Sequence, residues 1–150
     1  MAPRTIAITG AAGNLGRLLA RSLVGSDNRL RLMVHRTGLP DDLAQAPNVE
    51  VVHADLADPV SLRAAVDGAD TVVHFAGVLF APRPERFLPV TNTQWFASLL
   101  DACLAGHVGR VVLISFPHVE GPTTPEAPAT GRLDGTPVSV HAKTRLEEGR

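Results

Sequence analysis

A chain of 150 residues that is 45% apolar and 19% charged has enough material for one folded domain with a sizeable core, and that balance excludes an intrinsically disordered protein. Fourteen Lys and Arg against fifteen Asp and Glu give a net charge of −1, so no basic surplus points to nucleic acid and no charged block reads as an interaction tail. The N-terminus enters a strand pattern without a signal-peptide stretch, no apolar run approaches the roughly 18 residues of a membrane span, and the lone Cys103 has no internal disulfide partner; together these place the chain in the cytoplasm.

Arg4 to Thr9 (RTIAIT) is a β-branched run stopped by Gly10, which reads as a buried strand. Asn14 to Val24 follows with Leu15, Leu18, Leu19 and Leu23 at helical spacing, and Gly25 ends it. Arg29 to His35 and Val49 to His53 read as the second and third strands. Pro59 to Val66 reads as a short helix with Asp58 as N-cap and Pro59 in its first position. Thr71 to Phe75 is the fourth strand. Thr91 to Ala105 is a longer helix with Phe96, Leu99, Leu100, Cys103 and Leu104 on one face. Arg110 to Ser115 is the fifth strand, and a last helix begins near Pro137.

Strands that alternate with helices and are apolar on both faces predict a parallel sheet covered on each side. The fold class is therefore α/β, a Rossmann-type doubly wound sheet of about five strands in the order 3-2-1-4-5. Two stretches, Phe80 to Pro89 and Phe116 to Gly135, read as loops without secondary structure. Each follows the C-terminal end of a strand, where open α/β sheets bind ligands.

The turn between the first strand and the first helix is Thr9-Gly10-Ala11-Ala12-Gly13-Asn14-Leu15-Gly16. In such a turn Gly10 permits the sharp bend, Gly13 lets the backbone of Ala12 to Leu15 approach a pyrophosphate, and Gly16 lets the helix pack closely. The helix N-terminus then offers N–H groups and a positive dipole end to the phosphates. The spacing predicts a nicotinamide dinucleotide; the bare alternative is a tight turn with no ligand. An NAD-preferring fold places an acid at the end of the second strand, but here that place reads Val34-His35-Arg36-Thr37. Arg36, with Arg17 in the first helical turn, suits a 2′-phosphate, which favours NADP(H) over NAD(H). The alternative for Arg36 is a solvated loop cation.

With these residues in hand, the sequence resembles the short-chain dehydrogenase/reductase superfamily, in its extended or atypical branch of NAD-dependent epimerases and dehydratases. Thr9 to Gly16 matches the family's glycine turn, and His53-Ala54-Asp55-Leu56 resembles the motif whose Asp lies by the adenine. Gly68 to Gly77 (GADTVVHFAG) resembles the fourth-strand motif, which adds Phe75, Ala76 and Gly77 to the cofactor site. Asn92 matches the Asn that opens the next helix. The resemblance implies an NADP(H)-dependent oxidoreductase or a sugar-nucleotide-epimerase-like enzyme acting on a small carbonyl or hydroxyl substrate, and it allows a homodimer. A non-catalytic NADP(H)-binding regulator is the other reading.

The resemblance departs at the catalytic groups. The family carries Ser or Thr after the fifth strand and a Tyr-x-x-x-Lys pair on the next helix, yet this chain has no Tyr. The matching segment is His141-Ala142-Lys143-Thr144-Arg145, with His141 in the Tyr place and Arg145 in the Lys place. Ser115 ends the fifth strand, although counting back from Gly121 puts Phe116 in the Ser position. Ser115, His141 and Arg145 are accordingly the expected polar groups around the nicotinamide, since imidazole moves protons well near neutral pH. Otherwise His141 and Arg145 are ordinary helix-surface residues. Histidines 35, 53 and 74 all fall near strand ends but lack a metal-ligand spacing, so no metal is expected. Family members run about twice as long, with a C-terminal portion that shapes the substrate pocket, so residues 1–150 are expected to be the dinucleotide-binding domain without it.

Overall fold

The computed structural model describes residues 2–77, 82–115 and 117–150. Five strands, β1 (Thr5–Thr9), β2 (Arg29–Val34), β3 (Val49–His53), β4 (Thr71–His74) and β5 (Arg110–Leu113), form one sheet in the order β3-β2-β1-β4-β5. Every neighbouring pair is parallel, with Ile8 opposite Leu32 on one side and Val73 on the other. The order is the one that alternating strand and helix patterns predict.

The core sits on the three central strands. Ile8, Leu30 and Leu32 are fully buried with Ala11, Ala20 and Leu43 in one cluster. Each large side chain so enclosed stabilises the fold by about 1.5–3 kcal/mol. The expectation of strands buried on both faces fails at the sheet's edges, where Val51 of β3 is 38% exposed and Val112 of β5 is 37% exposed. A short apolar run reads alike whether central or flanking, because only the topology decides how much covers it.

Helix α1 (Asn14–Leu23) turns a different face inward from the one its leucines suggest. Leu15 and Leu18 are exposed, whereas Gly16 and Ala20 are buried and Leu19 and Leu23 pack partly on the core. Small residues let the helix axis lie close to the strands, which leaves the bulkier stripe turned outward. Asn48 closes the helix's other end: its amide donates to the carbonyls of Leu23 and Asn28 at 3.1 and 3.0 Å. The four-residue helix α2 (Asp41–Ala44), not read from the sequence, buries Leu43.

Helix α3 (Pro59–Val66) has the predicted bounds, and the carboxylate of Asp58 accepts the Val60 N–H at 3.0 Å as the expected cap. Its C-terminus is clipped by Arg31 of β2, which donates to the carbonyls of Ala65 and Asp67 and also pairs with Glu50 at 3.0 Å. A guanidinium there satisfies orphan carbonyls and meets the negative end of the helix dipole.

The chain divides into two compact units, Met1–Ala76 with Ser98–Leu113 and Gly77–Ala97 with Ile114–Arg150. Helix α4 (Trp95–Ala105) contributes to both. Its predicted first turn is instead a π-helical segment, Pro89–Gln94. Phe96, Leu99 and Cys103 are buried as expected, but Leu104 is exposed. The two stretches read as structureless carry single turns of 3-10 helix, Pro84–Arg86 and Pro117–Glu120; Phe116, the alternative to Ser115, and residues 78–81 lie outside the described residues. Helix α5 (Val140–Gly149) starts three residues after Pro137, where the Ser139 hydroxyl caps it by accepting the Ala142 N–H at 3.2 Å.

A carboxylate strap organises the long segment before α5. One oxygen of Glu120 accepts the backbone N–H groups of Thr130, Gly131 and Arg132, at 2.7 Å for Thr130 and 2.9 Å for Arg132. Burial pushes this carboxyl up, and the three N–H donors together with Arg132 outweigh it, leaving it below the ordinary glutamate value.

Candidate nucleotide site

The glycine turn is fixed by backbone packing. Gly10 has φ +65°, a conformation that favours glycine. A Cβ there would meet the Ala76 nitrogen at 2.8 Å and the Phe75 carbonyl carbon at 3.0 Å. A Cβ at Gly16 would run into the Gly10 carbonyl, so Gly16 lets the helix close on the turn. Thr9 ties the same place to β4: its hydroxyl accepts the Ala76 N–H at 3.2 Å and lies 2.7 Å from His74 Nδ1 in the buried interior. Gly10, Phe75 and Ala76, read separately from the sequence, are thus brought together. Thr9 and His74 were not among the expected site residues, although Thr9 opens the motif that carries the glycines.

Gly13 is the N-cap of α1, and no side chain caps the helix there. The first intrahelical bond is donated by the Arg17 N–H to the Gly13 carbonyl at 2.9 Å. The N–H groups of Asn14, Leu15 and Gly16 precede it and have no intrahelical acceptor. Three such donors on a ten-residue helix, beside a turn with no side chain at Gly13 or Gly10, fit a pyrophosphate. Ala12, next in the turn, is half-buried.

His35, after β2, and Asp55, after β3, are brought together, with His35 Nε2 3.5 Å from an Asp55 oxygen. The other Asp55 oxygen accepts the Ala57 N–H at 2.9 Å, and Leu56 beside it is half-buried. Arg36 is exposed at the end of β2. Arg17 donates to the Asn14 side chain at 2.9 Å.

In the second unit, Asn92 is buried and donates to the Thr144 hydroxyl at 3.1 Å, which makes it a brace between the Pro89–Gln94 turn and α5. Ser115 is exposed two residues past β5, and His141 is half-buried in the first turn of α5. Arg145 is not a surface residue. Its side chain is 7% exposed and donates to both oxygens of Glu148, at 2.8 and 3.1 Å. Burial raises the Glu148 carboxyl, Arg145 only partly opposes it, and the balance lies at about 7. Glu148 escaped the sequence reading because opposite charges three residues apart on a helix ordinarily mark a solvated pair. Among the described residues no group of three His, Cys, Asp or Glu side chains is arranged to hold a metal ion, and no helix is long and apolar enough to cross a membrane.

A family model described as NAD(P)H-binding matches residues 10–145, nearly the whole chain. The chain belongs to this NAD(P)H-binding family. Its relatives place it in the short-chain dehydrogenase/reductase superfamily, among the extended epimerase and dehydratase members, as the sequence motifs imply. It is 40% identical over 114 residues to a uronate dehydrogenase of Pseudomonas putida, covering 76% of this chain and 41% of that protein. A crystal structure of uronate dehydrogenase from Agrobacterium tumefaciens is similar with a TM-score of 0.76 at 28% identity, over 99% of this chain and 54% of that one. A short-chain dehydrogenase/reductase superfamily protein from the same organism, with bound NAD, gives a TM-score of 0.74 at 25% identity, over 97% and 43%. The chain therefore spans about half the length of the relatives it matches.

Proposed function

We propose that this chain is the dinucleotide-binding part of an NADP(H)-dependent oxidoreductase or epimerase-like enzyme acting on a small carbonyl or hydroxyl compound. The observation that carries the reading is the uncapped N-terminus of α1 beside Gly10 and Gly13, on the strand where the order of the sheet reverses. When bound, the nicotinamide supplies the hydride chemistry. The chain's own residues hold it: the Asn14, Leu15 and Gly16 N–H groups take the pyrophosphate, His35 and Asp55 flank the adenosine, and Arg36 with Arg17 takes the 2′-phosphate. Ser115 and His141 are the polar groups proposed for the substrate oxygen, with His141 moving the proton. The substrate-shaping portion of the family lies outside residues 1–150 in this reading. The buried, unpaired thiol of Cys103 supports a reducing, cytoplasmic location, and a homodimer is the proposed assembly.

Titration calorimetry with NADPH and NADH on the chain and on Arg36→Ala tests this. A charge-assisted contact contributes about 1.5–3 kcal/mol, so Arg36→Ala is expected to weaken NADPH at least about tenfold and to leave NADH unchanged. Equal losses for both cofactors would remove the NADP preference, and binding of neither would remove the nucleotide reading.

A second reading, a nucleotide-binding regulator without catalysis, is favoured by two observations: the chain lacks Tyr, and the residue in the Lys place is buried in an ion pair. Stoichiometric cofactor binding without turnover on a broad carbonyl panel supports it. Turnover lost in His141→Ala with cofactor binding retained supports the enzyme.

A further inference from the structure

Gly77 does not adopt a left-handed backbone, so conformational freedom does not explain a glycine there. Space does: a Cβ at this position would fall on Nη2 of Arg145. The guanidinium therefore lies directly against the Gly77 backbone. Its Nη1 is held from the other side by both oxygens of Glu148, whose side chain is completely buried. A glycine and an opposite-charge pair on α5, distant from it in sequence, make one packed assembly of a bare backbone, a cation and its counter-ion.

Gly77 continues the segment that leaves β4 through Phe75 and Ala76. In a sheet ordered β3-β2-β1-β4-β5, a dinucleotide with its pyrophosphate on the turn after β1 sends one half toward β2 and β3 and the other toward β4. The adenosine-side residues His35, Arg36 and Asp55 all follow β2 and β3. The segment leaving β4 is thus on the nicotinamide side.

We propose that Glu148 and Arg145 form a positioning pair for the cofactor: Glu148 holds the Arg145 guanidinium against Gly77, and this sets the backbone that receives the nicotinamide half. The proposal rests on the nucleotide-binding reading above. It assigns Arg145 a role through the backbone of Gly77, not contact with the reacting atoms, and it makes Glu148 a functional residue that no sequence motif indicates.

The experiment compares the whole dinucleotide with its adenosine half. Dissociation constants for NADPH, NADH and ADP are measured on the wild-type chain, on Glu148→Gln and on the shape-matched double variant Arg145→Met with Glu148→Leu, which removes both charges together and so avoids leaving one buried alone. Circular dichroism confirms that each variant is folded. Both variants are expected to weaken the dinucleotides about tenfold while ADP stays within about twofold of the wild type, because the glycine turn is untouched. Glu148→Asp, which keeps the carboxylate, is expected to recover part of the loss. Dinucleotide affinity unchanged in the folded double variant would overturn the proposal, as would a parallel loss of ADP and dinucleotide, which marks a general structural role. A wild-type chain that binds neither ADP nor dinucleotide overturns the nucleotide reading and this pair's role with it; one that binds ADP but no dinucleotide overturns the pair's role alone.

Discussion

Replacing Gly10 with alanine separates the two reasons for a glycine in the turn. The first is conformational: at φ +65° a residue with a Cβ costs about 1–2 kcal/mol. The second is steric, since the added carbon would sit 2.8 Å from the Ala76 nitrogen and 3.0 Å from both the Ala76 Cα and the Phe75 carbonyl carbon. All three are backbone atoms that cannot swing aside, so overpacking adds about 1–3 kcal/mol. Gly25 is the internal control: its φ is +80° but nothing lies within 4 Å of where its Cβ would be. Gly25→Ala therefore carries the conformational cost alone, and the smaller unfolded-chain entropy of alanine helps both variants equally. For a chain of this size each kcal/mol moves the midpoint by about 2–4 °C. Gly10→Ala is expected to lower Tm by about 5–15 °C and Gly25→Ala by about 2–6 °C, read by calorimetry or circular dichroism. Equal shifts in the two variants would refute the backbone-packing argument and leave the turn explained by its dihedral angle only.

Three further outcomes follow from the same geometry. Thr9→Val keeps the shape but takes the acceptor from the Ala76 N–H, and is expected to cost about 1–3 kcal/mol in urea denaturation; no measurable change would mean the Thr9 bridge is dispensable. Glu120 has its carboxyl held below the ordinary value, so its contribution is present above the unfolded-state value and lost as pH falls through the folded one. Segment 122–134 is expected to become sensitive to proteolysis in Glu120→Ala at neutral pH, and in the wild type only in acid. Glu148 has the opposite sign: its carboxyl rises from 4.5 to about 7, so the stability it confers is full below 4.5 and is lost as pH climbs through about 7. The wild-type Tm is expected to fall across that window, and Glu148→Gln to lack the fall; an identical slope in both would assign the titration elsewhere.

The strand order and α3 with its Asp58 cap were legible in the residues, because each rests on a local signal: an apolar run or a capping side chain. What escaped depends on distance in space. The leucine stripe of α1 gives the period correctly but not which side faces the sheet, since the buried side is made of Gly16 and Ala20, residues that a hydrophobic pattern passes over. Val51 and Val112 look like core valines until the topology leaves them at the rim. Arg145 reads as a group for the nicotinamide or as a surface residue, and its pairing with Glu148 goes unread, because nothing in a helix's charge spacing reports what other elements cover it. Asn92 was matched by position to a nucleotide site, and only the fold shows its amide spent on Thr144.

Arg31 ties together parts of the chain that are distant in sequence. Its donors reach carbonyls 34 and 36 residues away, at the end of the helix that carries the chain from the outermost strand β3, past β2 and β1, to β4. That crossover spans more of the sheet than any other, and Arg31 holds its helix at the C-terminal end. The arginine is a β2 side chain, so the end of α3 is fastened to the strand beside β1 just before the chain enters β4. One side chain thereby joins the β2–β3 edge of the sheet to the helix that delivers the chain to β4.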